Sequence, residues 1–553
     1  MTYSIGLDFG TASGRVLIMD TESGEIVATT VIEYKSGTIE QELHGNALPN
    51  SFALQDAFDY LDVLKQGIPQ TLQEAGINPQ DIVGLGVDFT SSTLVPVDEN
   101  LNPLNGQEEY KHNPHAYTKL WKHHGANDEA MDIFNIATTN RQRWLGNYGF
   151  NVSSEWAIPK VLEIKNKAPE TLEQIAYIME AGDWVVSKLI NENVRSNCAR
   201  GFKTFWDEEN GFYYDFYEKI DKELPAIISS RLEGRLVKIG ETAGTLTKEM
   251  SELIGLPEGL PVAPAIVDAH SGILGVGARK KNQLTMIMGT STCHIMLHEE
   301  QMKIPGISGS VKDSIIPGLY AYEAGQSAVG DLFGYAASQA PKEYVEEAER
   351  ENISIFELLE RKASEKEVGE SGLIALDWHN GNRSILSDSN LSGVIVGQTL
   401  HTKTEDIYRA YMEATAFGTK LIMSSYQDWG MDVDEVFACG GLPQKSELLI
   451  QIYADILNKP IHVSASDYAS GVGAAILGAV AGNTHESMDE TISKMKQPFL
   501  RTVQPIPENV KKYEKLYDMY QTLHDQFGFK KLAFMMKDLK KLANKESILE
   551  EAF

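Results

Sequence analysis

The stretch Gly6-Leu7-Asp8-Phe9-Gly10-Thr11-Ala12-Ser13-Gly14-Arg15 decides how this chain is read. Ile5, Leu7 and Phe9 alternate with smaller or polar residues, the period-two pattern of a strand. Gly10 and a polar turn follow, then a second apolar run from Val16 to Met19. The pattern predicts a hairpin whose tip carries one carboxylate, two hydroxyls, two glycines and an arginine. Glycines let backbone N–H groups close on an anion, and hydroxyls add donors. Asp8 suits Mg²⁺, directly or through water, because that ion prefers oxygen ligands and keeps several waters.

Working outward, the same design returns about 280 residues later. Leu284–Met288 leads into Gly289-Thr290-Ser291-Thr292, and Cys293–Leu297 leads out. A strand–turn–strand unit repeated at that distance is a duplication of whole domains, not a short solenoid repeat. Two such tips facing each other suit the β- and γ-phosphates of ATP from opposite sides of a cleft. A third glycine element, Gly440-Gly441, ends the strand Val436–Cys439. It lets a flat base lie against the backbone, or it simply makes a tight strand-to-helix turn.

At 553 residues the chain exceeds one ordinary core, so two or more domains are expected. The Gly/Pro-rich run Gly255–Pro261 marks the division, giving 1–260 and 261–553, with the boundary within 255–283. A third strand is expected over 25–32, an amphipathic helix over 53–76 with Leu61, Leu64, Ile68 and Leu72 on one stripe, and a strand over 81–88. Strands followed by helix and strand indicate an α/β fold. Residues 405–429 read as one long helix with Thr404 as its N-cap. The Glu/Lys-rich 342–370 reads as a solvated helical face. The tail with Lys530, Lys531, Lys537, Lys540, Lys541 and Lys545 reads as a terminal helix docked on its own protein, with a partner or membrane helix as the alternative.

The net charge of −29 and pI near 4.9 argue against nucleic acid and anionic membrane as partners, but not against a phosphorylated ligand. Three distant cysteines suggest neither a disulfide framework nor a zinc site. No leader pattern precedes the first strand and no long apolar run is present, so a cytoplasmic, reducing location is expected. G-x-x-x-x-G-K-[ST], G-x-S-x-G and H-E-x-x-H are all missing, which leaves P-loop, hydrolase and zincin readings without support. Asp8-Phe9-Gly10 also occurs as the magnesium motif of protein kinases, but here no catalytic loop precedes it. His112, His115, His123 and His124 lack a completing carboxylate spacing and read as structural. Gly471–Gly478 has a misplaced third glycine for a dinucleotide site; small residues for close helix packing explain it better.

These pieces resemble the FGGY carbohydrate kinases, within the actin-like, sugar-kinase and heat-shock ATPase superfamily, over essentially the whole chain. The carriers are Asp8-Phe9-Gly10-Thr11, Val267–Gly272, Met288–Thr292, Gly440-Gly441, and a diverged signature from Gly381-Asn382-Arg383 to Gly393 and Gly397. Gly86–Thr93, Lys119–His124 and Leu376–Gly381 resemble the family's ketopentose branch. The resemblance implies two duplicated actin-like, ribonuclease H-like ATPase domains with an interdomain cleft. It implies transfer of a phosphoryl group from ATP, with Mg²⁺, to the terminal C5 hydroxyl of L-ribulose. A small-molecule sugar is then the partner, and a homodimer is left open.

Asp268 follows the apolar run Val262–Val267, which puts it at a strand end, where it either caps the next helix or faces a cleft. The resemblance favours the cleft and implies a general base there. It also implies sugar contacts from Trp121, Lys203, Asp268 and Glu323, with Asp88, Thr90 and Ser91 at the border. The bland readings are core packing for Trp121, a solvated lysine for Lys203 and a helix-start carboxylate for Glu323. ATP is expected on Asp8, Gly10, Thr11, Ser13 and Arg15, on Gly289, Thr290 and Ser291, and on Gly440 and Gly441, with Asp8 holding Mg²⁺. The rivals are a kinase of D-ribulose, ribitol or another pentitol, and a chaperone-like or filament-forming ATPase of the same superfamily.

Overall fold

The opening alternation folds as expected in the computed structural model, which describes residues 1–543. β1 (Tyr3–Phe9), β2 (Ser13–Asp20) and β3 (Ile26–Glu33) form an antiparallel meander. β4 (Ile82–Phe89) runs parallel to β1 on its other side. Between β4 and the rest of the sheet the chain inserts most of a smaller four-stranded sheet, whose remaining strand Leu54–Gln55 precedes β4, and the helices α1 (Ala157–Lys167) and α2 (Asn197–Lys203). β5 (Gly244–Thr245), β6 (Pro261–Val262) and β7 (Ile266–Val267) then complete a seven-stranded sheet. The Gly/Pro-rich run thus precedes the last strands of the first sheet.

Helix α3 (Asp268–Val276) leads across to the second half. There β8 (Gln283–Met288) and β9 (Thr292–His298) repeat the β1–β2 hairpin. β10 (Ser310–Lys312) and β11 (Tyr320–Gln326) extend the sheet beyond β9. Helix α4 (Thr404–Asp428) precedes β12 (Glu435–Cys439), which lies parallel to β8 as β4 lies parallel to β1. β13 (Ile461–Ser464) and β14 (Phe499–Val503) finish this second seven-stranded sheet. Strand order β3-β2-β1-β4 in one half therefore matches β11-β9-β8-β12 in the other.

The halves are joined by crossed helices. α5 (Ala469–Ala481) comes from the second half of the chain, yet it lies on the first sheet against β1 and β4. α3 follows the first sheet and packs against β8, β9 and β12. A Cβ on Gly86 would sit 2.0 Å from the Ala474 carbonyl oxygen, and one on Gly473 1.9 Å from that of Ser271. Backbone thus meets backbone where α5 touches the sheet and where it crosses α3. The run Gly471–Gly478 is this contact surface, which is the packing role read from its small residues.

Two local expectations need correction. The helix expected over 53–76 starts at Phe58, because Leu54–Gln55 pairs as a strand with Thr118–Lys119. It also widens into a π-helical segment at Val63–Gly67, just ahead of Pro69, whose missing N–H cannot close a regular helical bond. Thr404 is the first helical residue of α4 rather than its cap; Asp406 reaches back and accepts the Lys403 N–H at 2.9 Å. Residues 342–370 form the helices Lys342–Glu351 and Ile355–Ser364, with most of their charged side chains exposed.

The tail forms α6 (Lys531–Ala543), docked on its own chain. Ala533 and Met536 are buried, Lys537 pairs with Asp388, and Lys540 Nζ donates to the Ser389 carbonyl at 2.7 Å. Lys545 lies outside the described residues. Among those described, no helix is long and apolar enough to cross a membrane.

Candidate active site

Three parallel strands of the first sheet, β1, β4 and β7, end side by side, and each end carries a carboxylate. Asp8 is in register with Asp88, and Asp88 with Ile266, two residues before Asp268. Arg15 stands opposite Asp8 across the hairpin and donates from Nη1 to Asp8 Oδ2 at 2.7 Å, while its guanidinium lies 4.7 Å from the Tyr468 ring centre. The arginine read as an ATP contact is thus already paired with the carboxylate read as the metal ligand. Asp88 is fully buried and neither of its oxygens has a hydrogen-bond partner. Burial, then the nearby Asp8 and Asp268 charges, push its carboxyl well up.

Asp268 opens α3, and its Oδ1 accepts the Ala269 N–H at 2.7 Å. Burial raises it to about 7; the Ala269 bond and Lys203 oppose this, while Asp8 and Glu323 add to it. Asp268 is thus the first helical residue and not the cap, which is Val267, and the charges of Asp8, Glu323 and Lys203 all act on it.

Glu323, in the middle of β11, is the electrostatic centre of the other wall. Its Oε1 accepts from Lys203 Nζ at 2.8 Å and from Arg383 Nη2 at 2.6 Å, and its Oε2 meets His270 Nε2 at 3.1 Å. Cys198 Sγ backs His270 Nδ1 at 3.3 Å. Burial alone would raise Glu323, but Lys203, the His270 bond and Arg383 together hold it well below the usual carboxylate range. Lys203 is neither solvated nor separate from Glu323: the two are buried partners. One carboxylate thereby ties β11 to α2, α3 and the Arg383 loop, which belong to both halves.

The two hairpin tips close on themselves. The Gly10 N–H donates to the Ser13 carbonyl at 3.0 Å and the Gly289 N–H to the Ser291 carbonyl at 2.9 Å. These two amides, expected on phosphates, are used within the turns; Thr11, Ser13, Thr290 and Ser291 remain partly or fully exposed. Trp121 is 38% exposed, and its indole N–H, expected on a sugar, donates to Thr11 Oγ1 at 3.1 Å. Trp121 is thus an exposed wall beside the first tip, not core. Gly440, with φ +98°, sits where a Cβ would lie 2.3 Å from the Met288 carbonyl, so the turn needs glycine. The space above Gly441 is open.

After β4, Thr90 Oγ1 bonds Thr93 Oγ1 at 2.8 Å, and the Ser91 and Ser92 hydroxyls are buried without partners. Leu94 pairs with Lys119, which brings Gly86–Thr93 and Lys119–His124 together. Leu376–Gly381 lies elsewhere: Trp378 is in the C-terminal core and Asp377 accepts from Gln326 Nε2 at 2.8 Å. His123 is buried against Glu163 at 2.9 Å, and His115 Nδ1 lies 3.2 Å from Lys119 Nζ. Among the described residues no group of three or more His, Cys, Asp or Glu is arranged to hold a metal.

His270 and Arg383 both lie in the quoted motifs, but their convergence on Glu323 is not legible there. The available signal was Glu323 itself, a carboxylate in an otherwise apolar strand run, which requires cationic partners from somewhere.

Two duplicated α/β halves, with crossed helices between them and a glycine–hydroxyl tip on each, define the two-domain fold of the actin-like ATPase class. The chain belongs to the FGGY family of carbohydrate kinases: the family's N-terminal domain matches residues 3–275 and its C-terminal domain residues 284–482. It is a sugar kinase, a phosphotransferase. Ribulokinase of Staphylococcus aureus strain Newman is 56% identical over 542 residues, covering 98% of this chain and 99% of that protein. Ribulokinase of strain MSSA476 is 55% identical over the same shares. Solved structures share the fold at low identity. Xylulose kinase from Rhodospirillum rubrum has TM-score 0.78 at 21% identity, covering 95% of this chain and 99% of that one. Gluconate kinase from Lactobacillus acidophilus has TM-score 0.79 at 17% identity, covering 96% and 99%.

Proposed function

We propose that this chain transfers the γ-phosphoryl group of ATP to the C5 hydroxyl of L-ribulose, the first committed phosphorylation of an L-arabinose-type catabolic route. The likeness to ribulokinases over nearly the full length supports a pentulose as acceptor. The observation that carries the chemistry is Asp268, a half-buried carboxyl raised to about 7, set at a strand end where the charges of Asp8, Glu323 and Lys203 act on it. Near neutral pH its deprotonated form accepts the hydroxyl proton as the sugar oxygen attacks phosphorus. Phosphoryl transfer needs mainly alignment and charge stabilisation, so one acceptor positioned in line is sufficient.

Trp121 offers an apolar face to the sugar's C–H groups, while Lys203 and Glu323 act as a preset donor–acceptor pair for its oxygens. Asp88, Thr90 and Ser91 border the pocket. The tips at Asp8–Arg15 and Gly289–Ser291 receive the phosphates, and Gly440–Gly441 the base. Asp8 fits Mg²⁺ held through water, since a single carboxylate plus phosphate and water oxygens is how that ion is usually bound. The ion supplies charge neutralisation at the phosphates. Cleft closure excludes water and limits ATP hydrolysis. The halves are taken to divide within 255–283.

The test is a rate panel over L-ribulose, D-ribulose, xyluloses, ribitol and other pentitols, run with wild type and Asp268→Asn. L-ribulose is expected to give the highest kcat/KM. Asp268→Asn is expected to bind ATP and sugar yet lose about 10²- to 10⁴-fold in kcat, the usual share of a general base. A higher kcat/KM on a pentitol or D-ribulose overturns the acceptor assignment, and near-wild-type turnover of the variant removes Asp268 as base. An ATPase rate indifferent to every sugar overturns the sugar-acceptor reading as a whole.

A further inference from the structure

The loop after β4 is held in a conformation it does not favour by itself. Ser92 has φ +54°, in the left-handed region that a residue with a Cβ seldom adopts. Its carbonyl accepts from Lys160 Nζ at 2.7 Å. The same ammonium group donates to the Leu120 carbonyl at 2.8 Å. Lys160, on α1, is 0% exposed, and among the described residues no carboxylate lies within ion-pair distance of it. A lysine buried on two carbonyls is costly to desolvate, and burial pulls its amine down to about 7.

What Lys160 joins gives the arrangement its meaning. Ser92 follows Thr90 and Ser91, and Leu120 precedes Trp121, so one side chain spans two walls of the proposed sugar pocket. The first of these walls also holds the buried Ser91 and Ser92 hydroxyls, both without partners. Buried polar groups are nearly always hydrogen-bonded, so two adjacent orphan hydroxyls at one loop point to a polar ligand completing it. A lysine kept for stability alone would be a poor choice here, since a methionine fills similar volume without the desolvation cost.

We propose that Lys160 is a positioning residue for the acceptor sugar: by bridging the Ser92 and Leu120 carbonyls it sets the separation between the Asp88–Thr93 loop and Trp121. The proposal rests on the sugar-kinase site proposed above, in which Lys160 acts through the Ser92 and Leu120 carbonyls.

The test is steady-state kinetics of the full chain, varying sugar and ATP separately, with the pentulose that wild type phosphorylates best. Lys160→Met is expected to raise the sugar KM about tenfold, the scale of one or two lost hydrogen bonds. The ATP KM and the sugar-free ATPase rate should stay within twofold. Lys160→Gln, which keeps two N–H donors on a shorter arm, is expected to recover part of the loss. A sugar KM within twofold of wild type in Lys160→Met, or equal rises in both KM values, overturns the proposal. If Lys160→Met does not fold by circular dichroism, Lys160→Gln is judged by the same two criteria. A wild type inactive on every pentulose and pentitol overturns the functional reading, and this proposal with it; an active wild type with an unchanged Lys160→Met overturns this proposal alone.

Discussion

Glu323 is a buried carboxylate and Asp268 a half-buried one, and their surroundings drive them in opposite directions. Glu323 has three cationic or donor partners and stays ionised, whereas Asp268 has one backbone N–H and is raised from its ordinary 3.8 to about 7. Two consequences follow for Asp268. A base must be deprotonated, so kcat/KM is expected to fall as pH drops below about 7, which a pH–rate profile reads directly. A carboxyl whose folded value exceeds its unfolded one favours folding less as pH rises from about 4 to about 7, because the unfolded chain releases its proton first. Asp268→Asn removes that penalty. It is expected to be on the order of 1–4 kcal/mol more stable than wild type at pH 7, with little gain at pH 4, by denaturant unfolding at both pH values. The family resemblance, and not residue type alone, nominated Asp268, Lys203 and Glu323. That Lys203 bonds Glu323, and that Trp121 bonds Thr11, was not legible, because these contacts join positions 120 and 110 residues apart.

At the scale of elements, apolar runs on either side of a glycine–hydroxyl turn located both hairpins within a residue or two. Short strands such as Leu54–Gln55 escaped this reading because two residues carry no period. The small residues of α5 were legible as a packing surface, but their target was not. That target is the first sheet, where a Cβ on Gly86 would meet the Ala474 carbonyl oxygen at 2.0 Å. Backbone on both sides cannot yield, so Gly86→Ala is expected to cost about 1–3 kcal/mol or more, seen as a lower denaturant midpoint with unchanged slope. Gly441→Ala is the contrast: its Cβ meets open space, so the fold should tolerate it. If the base of ATP lies there, the ATP KM should rise several-fold while the sugar KM holds. Unchanged kinetics for both substrates would move the base elsewhere.

Over the whole molecule, α3 and α5 are exchanged between the halves and cross at Ser271 and Gly473, so each half is partly built from the other's chain. The halves are thus expected to unfold in one transition despite the chain's length, and closure to pivot about this crossing. Small-angle scattering with sugar plus a non-hydrolysable ATP analogue should show compaction relative to either ligand alone. An unchanged radius of gyration would remove closure from the mechanism.

By itself, the amino-acid order determined the α/β class, the duplication, the two glycine–hydroxyl tips and the family, because each depends on local periodicity or on short motifs that keep their chemistry in sequence. Only the tertiary structure decided which charges meet. It paired Arg15 with Asp8 and gathered Lys203, His270 and Arg383 on Glu323. It left Asp88 buried and unpartnered, and ran Lys160 between two loops. The physical reason is that burial and Coulomb interaction act through space. A carboxyl's proton affinity and a lysine's partners are set by what packs against them, and nothing in the local order of residues encodes that.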